Sequence, residues 1–177
     1  MTETKPRVGF IGIGAMGTPM SEHLLDAGFP LTVYDRLPAK TEKFAARGVP
    51  VATSCADVAR RSDVVITMIG QVAEELEAVL GAEGVLEGAH PGMTLIDTST
   101  VEIVASRKMA EAARQKGVAF LDATVSGSVG PAREGKLHFM VGGDAAALEA
   151  VKPVLLAMGE KVHHVGPNGA GSAMKVI

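Results

Sequence analysis

The sequence predicts a doubly wound α/β fold, a mostly parallel sheet with helices on both faces. Three observations carry that prediction. Short apolar runs alternate with helix-length segments along most of the chain, the rhythm of parallel strands joined by crossover helices. The run DVVITMI, Asp63 to Ile69, is apolar almost without interruption, as strands covered on both faces are. The stretch RVGFIGIGAMGTPM, Arg7 to Met20, passes from β-forming residues through closely spaced glycines into a helical run.

After a polar lead-in, MTETKP, strand one spans Arg7 to Gly12. A helix starts near Ala15 and ends at Gly28, and Leu31 to Asp35 forms strand two. Pro38 opens a short helix that Gly48 closes. A weak strand, VPVA, and a helix, SCADVARRS, lead to the strand Asp63 to Ile69. In VAEELEAVLG, helical spacing puts Val72, Leu76, Val79 and Leu80 on one face. The strand GMTLIDTS, the helix VEIVASRKMAEAARQKG and the strand VAFLDATV continue the alternation.

Beyond Asp122 the rhythm changes. TVSGSVGPAREG is rich in glycine and serine and longer than an ordinary turn, which predicts a functional loop. KLHFMVGG is then a strand, DAAALEAVKPVLLAMG a helix kinked at Pro153, and KVHHVG a last short strand. NGAGSAMKVI reads as the first turns of another helix, which stops without a glycine or a polar last turn.

Composition narrows the function classes. A chain of 177 residues with 47% hydrophobic residues suits one domain with a substantial core. Aromatics make up 3% and tryptophan is absent, which argues against a base-stacking nucleic-acid platform. A net charge of −3 gives no reason to expect a polyanionic partner. No secretory signal and no apolar run long enough to span a membrane are present, so no membrane association is expected. Cys55, the only cysteine, can form no internal disulfide, which fits a reducing cytoplasm. His163 and His164 are neighbours on a strand and point to opposite faces, so they cannot converge on one substrate. No His, Cys, Asp or Glu cluster has metal-ligand spacing, so no metal is expected.

The glycines of GIGAMG carry the chemistry. Gly12 permits the tight strand-to-helix turn, Gly14 leaves room for a pyrophosphate against the backbone, and Gly17 lets the helix lie close to the sheet. Phosphates would rest on free N–H groups at the helix start, where Ala15 and Met16 stand. Asp35 ends the second strand about 20 residues on, the place of a carboxylate that binds a ribose. This pattern predicts a Rossmann-type dinucleotide site. A carboxylate accepts the ribose hydroxyls of NAD and repels a 2′-phosphate, whereas the neighbouring Arg36 could clamp one. Asp35 favours NAD, with NADP possible. Met68, Ile69 and Gly70 end a central strand, where ligands bind in open α/β sheets.

Four segments together resemble the β-hydroxyacid dehydrogenase family, which includes 3-hydroxyisobutyrate dehydrogenase and tartronate semialdehyde reductase. They are VGFIGIGAMGTPM (8–20), IDTST (96–100), DATVSGSVGPAREGKL (122–137) and GPNGAGSAMK (166–175). The resemblance implies NAD(P)-dependent oxidation of a small 3-hydroxy acid, with Lys175 as the proton-transfer group. It places Met68 and Ile69 against the cofactor, Thr100 near the nicotinamide, and Ser126, Gly127 and Ser128 on the substrate carboxylate. Thr100 also reads as an N-cap for the helix that follows. The family pattern has Pro where this chain has Gly70, and SGG where it has Ser126-Gly127-Ser128, departures that bear on substrate identity rather than reaction type.

The same resemblance implies a second, all-helical domain and a homo-oligomer at full length. The expected division is a dinucleotide-binding domain over 1–165 and the start of a linker helix over 166–177. These 177 residues alone are then expected to hold NAD but turn over substrate poorly, since the groups that would fix Lys175 lie one helical turn further on. Two other readings are a non-catalytic dinucleotide-binding or interaction module and an imine reductase; the retained Lys175 argues against both.

Overall fold

In the computed structural model, which describes residues 4–176, the first apolar run folds as β1, Val8–Ile11, and turns through the glycines into α1, Gly17–Asp26. Residues 1–3 of the lead-in, and Ile177 at the expected end of the last helix, lie outside the described residues. β2, Leu31–Tyr34, returns parallel to β1, followed by a 3-10 turn, Pro38–Thr41, and α2, Glu42–Ala45. Then come α3, Cys55–Arg60, β3, Val64–Thr67, α4, Val72–Leu80, and the short α5, Val85–Gly88. β4, Thr94–Asp97, α6, Ile103–Gln115, and β5, Ala119–Ser126, complete the regular alternation. The remaining elements are α7, Val129–Glu134, β6, Leu137–Gly142, α8, Ala145–Met158, β7, Gly159–Gly166, and α9, Ala170–Val176.

The seven strands form one sheet in the order β2-β1-β3-β4-β5-β6-β7, and every neighbouring pair is parallel except β5 with β6. The chain winds outward from β1 to β2, then crosses back to β3 on the other side of β1. Helices leave the sheet in opposite directions at that reversal, which opens a crevice at the carboxyl ends of β1 and β3.

Period-two alternation along the strands separates two cores. Phe10, Ile66, Ile96 and Leu121 point into the layer shared with Met20 and Leu24 of α1 and Leu155 of α8. Ile11, Val65, Leu95 and Phe120 point into the opposite layer, with Val79 of α4 and Met109 of α6. Polar side chains close two of the helices: Ser54 Oγ accepts from the Asp57 N–H at 3.0 Å ahead of α3, and Asp144 Oδ2 from the Ala147 N–H at 2.9 Å ahead of α8.

The structure corrects four local expectations. VPVA makes a single bridge, Val33 with Val51, rather than a strand, because Pro50 has no N–H to extend the ladder. The stretch read as a loop after Asp122 is mostly regular: β5 continues to Ser126 and α7 begins at Val129. His23 of α1 holds that short helix through contacts to the Ala132 and Arg133 carbonyls at 3.0 and 2.9 Å, and Gly135 closes it with φ +69°. Thr100 is not a helix cap; α6 starts later, with Glu102 as its N-cap and the Glu102 carbonyl accepting from the Ser106 N–H at 2.9 Å. In α4 the residues fully buried are Glu75 and Val79, so an acid sits within the face expected to be apolar.

Candidate functional site

The glycine turn is shaped by backbone crowding. Gly12 has φ +100°, and a Cβ there would stand 2.2 Å from the Met68 carbonyl oxygen. A Cβ on Gly17 would stand 1.8 Å from the Gly12 carbonyl oxygen, so α1 can approach β1 only without a side chain. Around Gly14 the space is open, with nothing within 4 Å of a Cβ position. Among the described residues, the N–H groups of Gly14, Ala15 and Met16 have no acceptor. Free donors around open space at the start of α1 fit a pyrophosphate.

Gly12 and Gly14 line a cleft of about 520 Å³ with Asp35, Arg36, Met68, Ile69 and Gly70. Gly17 lies beneath its floor, and Ala15 opens onto an adjacent hollow with Lys40. Asp35 is half-buried and fixed from two sides: Oδ2 accepts from the Ile13 N–H at 2.8 Å and Oδ1 from the Leu37 N–H at 2.9 Å. Each oxygen keeps a lone pair for a ribose hydroxyl. Arg36 is drawn across the cleft to Glu74, 3.0 Å from its Oε1. Sequence reasoning missed Glu74, Tyr34 and Cys55 as parts of the wall. Burial pushes the Cys55 thiol up to about 12, with Glu75 adding to the shift, so it is no nucleophile at neutral pH.

A second group of predicted residues meets at the end of β5. Lys175 of α9 donates from Nζ to the Val125 carbonyl at 2.6 Å, one residue before Ser126. Ser126, Gly127 and Ser128 are exposed, and Gly127 turns the chain with φ +131°. α9 itself is pinned from below, by residues to which the motifs assigned no role. The fully buried Asp122 accepts from the Gly169 N–H at 2.9 Å and the Ser172 N–H at 3.1 Å, a carboxylate at a helix start. Thr124 Oγ1 donates to the Gly171 carbonyl at 2.6 Å. Thr100 is exposed at the end of β4, on the same edge of the sheet. His163 and His164 take no part: both are exposed on β7, and His164 Nε2 contacts the Gly143 carbonyl at 2.8 Å.

Under the cleft wall lies a pair of buried carboxyls, Glu75 and Asp97. Burial raises Glu75 to about 7, and burial together with the neighbouring Glu75 raises Asp97 well above the carboxylate range.

The sequence profile of the NAD binding domain of 6-phosphogluconate dehydrogenase matches residues 7–166. The chain belongs to this family. It is 42% identical over 173 residues to the mitochondrial 3-hydroxyisobutyrate dehydrogenase of Bos taurus, covering 98% of this chain and 52% of that protein. It is also 42% identical over 171 residues to the NAD-dependent L-serine dehydrogenase of Pseudomonas aeruginosa, covering 96% of this chain and 57% of that one. Among solved structures, the 3-hydroxyisobutyrate dehydrogenase of Mycobacterium tuberculosis with L-serine superimposes with a TM-score of 0.88 at 38% identity. That match covers 97% of this chain and 58% of the other. The chain therefore spans little more than half the length of the relatives it matches. The resemblance read from the four sequence segments is borne out, and residues 7–166 form an NAD-binding domain. Among the described residues, no group of three or more acidic, histidine or cysteine side chains could hold a metal, and no helix is long and apolar enough to cross a membrane.

Proposed function

We propose that this chain is the cofactor-holding part of an oxidoreductase that interconverts a small 3-hydroxy acid and its oxo acid, with Lys175 as the proton-transfer group. The observation that carries the proposal is the placement of Lys175 Nζ, 2.6 Å from the Val125 carbonyl, beside Ser126 to Ser128 and on the cofactor edge of the sheet. The bound nicotinamide supplies a hydride acceptor for the alcohol carbon. The protein's own groups do the rest. Lys175 takes the hydroxyl proton in oxidation and returns it in reduction. The Ser126 and Ser128 hydroxyls and the Gly127 N–H donate to the substrate carboxylate, and Thr100 lines the nicotinamide end of the site. The names of the relatives, which act on 3-hydroxyisobutyrate and L-serine, support the substrate class.

The same reading makes 166–177 the start of a linker to a helical domain and the full-length protein a homo-oligomer. It places the protein in a reducing cytoplasm, which the free thiol Cys55 supports. Assays of hydroxy acids and imines with NAD(H) and NADP(H), on an enzyme that joins these residues to a helical domain, test it. Oxidation of 3-hydroxy acids is the expected result; turnover of imines alone, or of nothing, contradicts it.

Cofactor choice gives a prediction within the chain itself. Asp35 would meet the 2′-position of a bound nucleotide while Glu74 holds Arg36, so NAD should bind more tightly than NADP. Asp35→Asn removes the repelling charge, and the preference should narrow or reverse. Calorimetric titration of both cofactors measures this, and equal or NADP-favouring affinity in the unmodified chain contradicts it.

A further inference from the structure

Behind Met68, Ile69 and Gly70, four polar side chains meet inside the apolar layer. Thr67, Glu75, Asp97 and Ser99 are each no more than 1% exposed. Glu75 reaches in from α4, while Thr67 ends β3, Asp97 ends β4, and Ser99 follows it. Thr67 Oγ1 donates to Glu75 Oε1 at 2.6 Å, and Ser99 Oγ donates to Glu75 Oε2 at 2.8 Å. The same Ser99 oxygen accepts the Ile69 N–H at 2.9 Å, and the Ser99 N–H donates to Asp97 Oδ1 at 2.8 Å. Asp97 Oδ2 has no partner. A continuous chain of hydrogen bonds thus runs from a helical carboxyl to the backbone of the cleft wall.

A buried carboxyl is a costly way to fill space. Apolar side chains fill the rest of this layer, and a well-packed apolar residue is often at least as stabilising as a buried charged group. Here each Glu75 oxygen receives one of the two hydroxyls that set the ends of β3 and β4. We infer that Glu75 is a positioning residue for the cofactor cleft: through Ser99 it fixes the Ile69 backbone, and through Thr67 the end of β3. The inference rests on the reading of that cleft as the NAD site.

The proton state of the pair gives the test. Among the described residues, neither carboxyl has an ion-pair partner. The titratable groups around Glu75 are Asp97 from β4 and the Cys55 thiol from α3. On its own helix, Glu74 is paired with Arg36 and Glu77 is exposed, as are Glu87 of α5 and Arg107, Lys108, Glu111 and Arg114 of α6. At low pH at least one proton remains between the two carboxyls. As pH rises through about 7 Glu75 ionises inside the apolar layer, where burial disfavours the charge, and this strains the packing that holds the Ser99–Ile69 link. The sign for stability follows. From the ordinary value of 4.5 up to about 7, the native state holds more protons than the unfolded state, so stability falls as pH rises.

The experiment measures NAD affinity by calorimetry from pH 5.5 to 8.5, and urea stability without cofactor over the same range. The unmodified chain, Glu75→Gln and Ser99→Ala are compared. The glutamine keeps the side chain's length and stays neutral. The unmodified chain should lose about tenfold in NAD affinity with rising pH. Glu75→Gln should keep the low-pH affinity throughout, and Ser99→Ala should bind weakly at every pH. A stability profile that falls with pH only in the unmodified chain, with NAD affinity independent of pH, would reduce Glu75 to a structural group and overturn the inference. Identical profiles for the unmodified chain and Glu75→Gln would overturn it as well. Absence of saturable NAD binding in every variant overturns the reading of the cleft, and the positioning role with it. The stability profiles would still show whether Glu75 titrates.

Discussion

Gly12→Ala should destabilise the domain by about 2–5 kcal/mol and abolish NAD binding, whereas Gly14→Ala should leave the fold intact and weaken binding alone. The two glycines sit two residues apart in one motif, yet their surroundings differ. At Gly12 the added Cβ meets the Met68 carbonyl at 2.2 Å, and φ is +100°, so neither a rotamer change nor a small shift relieves the clash. β1 and β3 would have to separate at the carboxyl edge. At Gly14 the added Cβ meets nothing within 4 Å, so stability should change by no more than about 0.5 kcal/mol. The methyl would instead occupy the space left for the pyrophosphate, and NAD affinity should fall by about tenfold or more. Urea denaturation and calorimetric titration of both variants check the pair. A destabilised Gly14→Ala, or a stable Gly12→Ala that binds NAD normally, would contradict the account.

In an enzyme that joins this domain to a helical one, Lys175→Ala should lower kcat by about 10²–10⁴, the span of a lost acid–base group. Lys175 stands at the end of β5, whereas the cleft proposed for the nucleotide lies at the ends of β1 and β3. NAD affinity should therefore hardly change. A variant within tenfold of the parent rate would remove the proton-transfer role. The side chain's position depends on α9, whose first turn is held by the buried Asp122 and by Thr124. Neither residue is near the nucleotide cleft, so a fault there should likewise move turnover and spare cofactor binding.

The sheet was legible because its signals are local. Period-two alternation splits Phe10 from Ile11 and Ile66 from Val65 between two cores, and the glycine spacing marks one turn that only glycine can make. α7 was not legible. Ser126-Gly127-Ser128 and the residues after it read as a functional loop, and what holds the helix is the distant His23 of α1. Thr100 has the chemistry of a cap, but the helix begins only where the Glu102 carbonyl finds its first N–H. The buried acid was hidden for a similar reason. Glu74, Glu75 and Glu77 look alike in AEELEAV, and the hydroxyls that Thr67 and Ser99 offer at the ends of β3 and β4 mark Glu75 as the one that turns inward. The one available signal was its spacing: Glu75 falls between Val72 and Val79 on the inward-facing arc.

NAD should lie across the carboxyl ends of β1 and β3, on the glycine turn and Asp35. Titration of NAD into isotopically labelled protein, followed by amide NMR, tests it most directly. Saturable shifts are expected at Gly12 to Gly17, Asp35 and Met68 to Gly70, with the amides of β6 and β7 unmoved. The absence of saturable shifts, or shifts gathered instead around Arg107, Arg114 and Asn168 on another face, would contradict it.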